Sequence, residues 1–120
     1  MRFIKTKNFI LDLSVYSIVK ETDEQFKLYY EPKGNASYWT RVNKSDIVKQ
    51  SNCLEDLFHR FVVYGNSHYK IYTRQQFFKF SREEILDKLN RGYLIYGANW
   101  RSKGLIYDAQ LNKEGEWKLL

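Results

Sequence analysis

Cys53, His59 and His68 are the side chains best suited to ligate a metal, and a metal site needs three or four such ligands converging. On a helix starting at Cys53, Cys53 and His59 fall six residues and about 240° apart, on different faces. No metal site is expected. A nucleophile would need a base and an orienting third group, and no Gly-x-Ser-x-Gly elbow occurs. Cys53 in the first turn of a helix is open to two readings: a thiol activated by the helix dipole, or a small apolar filler beside Leu57. The acidic pairs Glu55-Asp56 and Glu83-Glu84 fit first turns of helices, where the dipole stabilises negative charge. The six glycines are isolated, so no phosphate-cradling loop is present. The expectation is a protein with no catalytic residues, no cofactor and no small-molecule substrate.

One segment has the composition of a binding site. From Leu57 to Arg82 there is no acidic residue, while Arg60, Lys70, Arg74, Lys79 and Arg82 alternate with aromatic rings. Cations interleaved with rings neutralise phosphates and stack bases, as single-stranded nucleic-acid sites do. Phe58 and Phe61 suit a helix's core face, which leaves His68 to Arg74 as the exposed stretch. The site expected for an anionic partner is therefore Tyr69, Lys70, Tyr72, Arg74 and Lys79. A second patch, Trp39, Arg41 and Trp100, draws on residue types enriched at protein–protein hot spots. Cross-strand pairing on a sheet face is the competing use of such rings.

The elements that would position these residues follow from periodicity. Ten Tyr, eight Phe and three Trp favour pleated surfaces. Phe9, Leu11, Leu13 and Val15 alternate with polar positions, and the phase slips at Val15-Tyr16, where a bulge or bend is expected. Phe26, Leu28 and Tyr30 carry the next strand. Glu31-Pro32-Lys33-Gly34-Asn35 supplies turn chemistry before a strand from Tyr38 to Val42, and a short strand from Asp46 to Gln50 extends the meander. Asn52 with Glu55 reads as a capping box opening a helix from Cys53 to about Phe61. Val62-Val63-Tyr64 then leads to a turn at Gly65-Asn66-Ser67. Ser81 and Glu84 open a second helix that Gly92 stops, with Ile85, Leu86 and Leu89 toward the core. Tyr93 to Trp100, Gly104 to Leu111 and a last strand through Trp117 and Leu119 complete the chain. The expected fold is α+β: antiparallel sheet in the order ββββ-α-β-α-βββ, with two short helices packed on it, as a single domain over residues 1–120.

The net charge of +6 fits an anionic partner or plain solubility. The lone cysteine, the charge-broken N-terminal run Met1 to Lys7, and the lack of an apolar stretch near the roughly 18 residues a membrane helix needs make the cytoplasm the expected compartment.

Two stretches resemble a known group. Lys44-Ser45-Asp46-Ile47-Val48-Lys49-Gln50-Ser51-Asn52-Cys53-Leu54-Glu55-Asp56-Leu57, closed by Phe61-Val62, is similar to a "DIVKQ…(I/L)E(E/D)LCDEFV" segment of small uncharacterised proteins from phages and prophages of Firmicutes. Ile95-Tyr96-Gly97-Ala98-Asn99-Trp100 and Lys103-Gly104-Leu105-Ile106-Tyr107 look like the "IYGAIWTDKGLIYVAKMNEKGELELL" ending of the same group. The match covers roughly a third of the chain, and Phe58-His59-Arg60 departs from it by being basic where the group is acidic. The resemblance implies a phage-type accessory protein, working in the host cytoplasm, that binds and modulates or inhibits a host protein or protein–nucleic acid complex, such as part of a defence system. It transfers no catalytic residues. A basic chain does not fit an inhibitor that mimics DNA. The alternative is a small RNA- or DNA-binding accessory protein.

Overall fold

A computed structural model describes residues 2–30 and 38–120. The turn expected at Glu31 to Asn35 lies outside the described residues. The strands are β1 (Phe3–Thr6), β2 (Ile10–Asp12), β3 (Ser17–Glu21), β4 (Gln25–Tyr30), β5 (Tyr38–Asn43), β6 (Ile47–Ser51), β7 (Arg60–Gly65), β8 (His68–Thr73), β9 (Leu94–Arg101), β10 (Gly104–Leu111) and β11 (Trp117–Leu119), with helices α1 (Arg74–Phe77) and α2 (Arg82–Asn90) between β8 and β9. The chain divides into two units, Met1–Cys53 and Leu54–Leu120. All described pairings are antiparallel, and the class is α+β, dominated by sheet. No helix among the described residues is long and apolar enough to cross a membrane.

The N-terminal unit holds two three-stranded sheets, ordered β2-β1-β6 and β3-β4-β5. Two turns use the same device. Thr6 Oγ1 accepts from the backbone N–H of Asn8 and Phe9, and Thr22 Oγ1 from those of Glu24 and Gln25, so each threonine stands in for backbone acceptors in a tight reversal. The phase slip at Val15-Tyr16 is a 3-10 turn over Leu13–Val15. Asp12 caps it by accepting from Ser14 N (3.0 Å) and Ser14 Oγ (2.7 Å), and also accepts from Arg2. Burial pushes the Asp12 carboxyl up, but the bonds from Arg2 and Ser14 outweigh it and hold the group below its ordinary value. Ile4, Leu28 and Val42 are buried together, with Leu11, Leu13, Tyr16, Phe26 and Ile47 packed round them, so the two sheets share one core.

This unit departs from the sequence reading at one strand it did not expect and one it placed elsewhere. Phe3–Thr6 is a strand that alternation does not reveal, because all four of its residues, Lys5 included, are buried. The strand after Asp46 does not extend the meander: β6 pairs with β1, Phe3 opposite Ser51 and Ile4 opposite Gln50.

In the C-terminal unit one sheet runs β11-β10-β9-β7-β8. The helix expected from Cys53 to Phe61 is only a 3-10 turn, Leu54–Leu57. Its capping box does not form, because Asn52 Oδ1 accepts from Arg2 N and Glu55 Oε2 from Trp117 Nε1. His59 N donates to Ala98 O and to Asn99 Oδ1, each at 3.0 Å, and β-branched Val62 and Val63 continue as strand. α1 was not expected; Thr73 and Gln76 form its capping box. The second helix is as read: Ser81 and Glu84 exchange both capping bonds, which hold the Glu84 carboxyl below its ordinary value. Gly92, at φ 91°, ends it. The observed order thus differs from ββββ-α-β-α-βββ in both strand count and helix placement.

The inner face of this sheet is aromatic. Phe61 stacks on Phe77 with ring centroids 4.1 Å apart and meets Phe58 edge-on at 5.8 Å. Burying such a ring contributes about 1.5–3 kcal/mol. Gly97 lies under Phe58, where an added Cβ would come within 2.3 Å of the ring. Buried Asn99 donates to Asp108 Oδ2 (2.6 Å), and Arg101 Nη1 meets both oxygens of Asp108 at 2.7 Å, which ties β9 to β10 across their bulge.

Candidate binding surfaces

Alternation along β8 separates the residues of the first expected site. Tyr69 lies on the sheet's open face and is 66% exposed. Lys70 and Tyr72 point to the opposite side, the lysine Nζ 5.0 Å from the Tyr72 ring centroid, and Tyr72 meets Phe80 edge-on at 5.4 Å. Arg74 is bound to its own unit. Its Nη1 donates to Glu55 O (2.6 Å) and Phe58 O (3.0 Å), its Nη2 lies 3.9 Å from Asp56, and its guanidinium lies 5.0 Å from the Phe78 ring centroid. Arg74 therefore clamps one carbonyl of the 3-10 turn and one just after it, and is not poised for a ligand. Lys79 is exposed beyond α1. The five residues do not form one surface.

The open face of the C-terminal sheet is apolar instead. Tyr64 on β7, Tyr69 and Ile71 on β8, Leu94 and Trp100 on β9 and Tyr107 on β10 are all exposed there. Tyr96 stacks on Tyr107 at 4.7 Å. A shallow groove of about 460 Å³ has Tyr69 and Ile71 on one wall and Leu105 and Tyr107 on the other.

The second expected patch divides as well: Trp39 and Arg41 belong to the N-terminal unit and Trp100 to the C-terminal one. Around Trp39 and Arg41 the register assembles a denser surface than sequence reasoning found. Lys20 on β3 stands opposite Lys27 on β4, and Lys27 stands opposite Arg41 on β5. Three cations thus form one row across three strands, spaced about 4.8 Å per strand. The neighbouring row is Ser17, Tyr29 and Trp39. Trp39 is 57% exposed, its ring centroid lying 4.7 Å from that of Tyr29 and 4.7 Å from Lys27 Nζ. Two adjoining hollows open on the row. One, of about 530 Å³, is lined by Lys27, Trp39, Thr40 and Arg41; the other, of about 220 Å³, by Lys20, Thr22, Gln25, Lys27 and Arg41. Among the described residues no carboxylate pairs with Lys20, Lys27 or Arg41.

The residues that sequence reasoning left out of this patch are Lys20, Lys27 and Tyr29. The alternation Phe26, Leu28, Tyr30 identifies the buried face of β4 and so leaves Lys27 and Tyr29 on the other. Which residues stand opposite them depends on register, and the bulge between Ile18 and Lys20 that brings Lys20 into the row has no local signature.

Among the described residues no group of three His, Cys, Asp or Glu is placed to hold a metal ion. Cys53 is exposed and does not pack as a core filler. No family model matches the chain, and no curated protein or solved structure matches it.

Proposed function

We propose that this chain is a non-enzymatic binding protein that holds a single-stranded nucleic acid on the open face of β3, β4 and β5, and so modulates a host complex containing that strand. The observation that carries this reading is the row Lys20, Lys27, Arg41. Like charges directly opposite on adjacent strands destabilise a sheet, and this row has two such pairs without a carboxylate between them among the described residues. A phosphate backbone laid along the row supplies the missing negative charge. Trp39, exposed one row away, supplies a ring face for a base. The phage-type accessory role implied by the resemblance fits this proposal, with the strand belonging to a host protein–nucleic acid complex in the cytoplasm.

The test is a fluorescence-anisotropy titration of a 12-nucleotide oligouridylate, with inorganic polyphosphate of matched charge as a base-free control. Trp39→Ala should weaken oligonucleotide binding roughly fivefold or more, since stacking is worth about 1–3 kcal/mol per base, and leave polyphosphate binding unchanged. Equal loss for both ligands, or no binding to the oligonucleotide at low salt, would overturn the reading.

A further inference from the structure

We infer that the outer edge of β8 accepts an extended segment of a partner protein, with an acidic residue between two apolar ones, as an added strand. The inference rests on the C-terminal unit and is independent of the nucleic-acid surface.

Backbone parity comes first. Asn66 and Ser67, at φ 53° and 64°, form the two-residue turn between Gly65 and His68. In such hairpins the flanking pair is hydrogen-bonded and pairs alternate from there. His68, Lys70 and Tyr72 therefore bond inward to β7, while Tyr69, Ile71 and Thr73 turn their N–H and C=O groups outward. The far side of β7 carries β9, with Arg60 opposite Ala98, Val62 opposite Tyr96 and Tyr64 opposite Leu94, and His59 N donates to Ala98 O just before that pairing starts. Of the three outward N–H groups, that of Thr73 donates to Gln76 Oε1 at 3.0 Å. Those of Tyr69 and Ile71 are bonded to nothing among the described residues.

Edge strands are ordinarily protected by a bulge, a proline or a covering element. β8 has neither a bulge nor a proline; its register with β7 is continuous from Arg60 opposite Thr73 to Gly65 opposite His68. One device is present, and it identifies the occupant. If a second copy paired through both free positions, Tyr69 would bond Ile71 of the other copy and the two Lys70 side chains would face each other at a close, non-hydrogen-bonded site, about 4.5 Å between Cα atoms. Like charge there opposes self-pairing. An acidic residue in an incoming strand converts that repulsion into a cross-strand ion pair. Its two neighbours fall on the open face beside the exposed side chains of Tyr69 and Ile71, and apolar residues match them there. β-Strand addition of this kind takes affinity from backbone bonds and specificity from alternate side chains.

The experiment uses the acetylated, amidated pentapeptide Thr-Val-Glu-Val-Thr, and the same peptide with Lys at its centre, titrated into the full chain and followed by amide NMR and hydrogen exchange. Protection of the Tyr69 and Ile71 amides by the Glu peptide is expected. Ile71→Pro removes one outward N–H and no bond to β7, which an edge position tolerates; it should weaken the Glu peptide at least tenfold and leave oligouridylate affinity unchanged. Lys70→Glu, which does not touch the backbone, should reverse the preference between the two peptides. The inference fails if those amides stay unprotected at saturating peptide, if wild type binds both peptides equally, if the oligonucleotide protects the same amides, or if sedimentation shows the chain dimerising through this edge.

Discussion

A cationic side chain is not a binding residue until its existing partners are known. Arg74 has the right type and neighbours for an anion site by composition, yet its guanidinium is committed to Glu55 O and Phe58 O. Arg74→Ala should lower the unfolding free energy by about 1.5–3 kcal/mol, the range for hydrogen bonds to a charged group, and leave oligonucleotide affinity unaltered. Urea denaturation beside the anisotropy titration separates the two effects; a variant of normal stability that binds weakly would return Arg74 to the site. Lys27 is the converse case. It stands between two other cations, with its Nζ 4.7 Å from the Trp39 ring centroid. Nothing in the sequence distinguishes these two residues, because what differs is the carbonyl or cation placed opposite each one by distant segments.

Elements were legible where the signal is local and two cues coincide. Ser81 with Glu84 and then Gly92 bracket α2, and the strand expected from Gly104 to Leu111 is β10. They were illegible where a tertiary bond overrides a local pattern. The spacing Leu54, Leu57, Phe58, Phe61 is helical, and all four are buried as that spacing requires. The chain nonetheless leaves the helical path at Phe58, because His59 N finds its acceptors on β9. The hairpin between β7 and β8 shows a local choice that can be improved. Ser67 occupies left-handed backbone at φ 64°, where glycine meets no Cβ clash. Ser67→Gly, giving the Asn-Gly pair that such turns favour, should raise stability by up to about 1 kcal/mol in thermal or urea unfolding. A loss of stability would mean that the turn, and with it the parity argued for β8, is of another type.

At the scale of the whole molecule, composition indicated a basic, ring-rich protein without indicating how its cations and rings are grouped. The charge of +6 is spread along the chain; only strand register gathers Lys20, Lys27 and Arg41 into a row. The rings likewise divide by tertiary placement: Phe58, Phe61 and Phe77 pack inside, while Tyr69, Trp100 and Trp39 lie outside. Each surface is built wholly within one unit: a cationic, aromatic face in Met1–Cys53 and an apolar face ending in an open edge in Leu54–Leu120. A protein–nucleic acid complex offers both kinds of ligand, and these two faces suit one each. The most direct test of the nucleic-acid surface is the salt dependence of oligouridylate binding, measured between 50 and 300 mM NaCl at several concentrations for wild type and Arg41→Gln. Removing one phosphate contact on a single strand should flatten the slope of log K against log salt by about 0.7. A slope unchanged by Arg41→Gln would contradict the assignment of the row as the strand's seat.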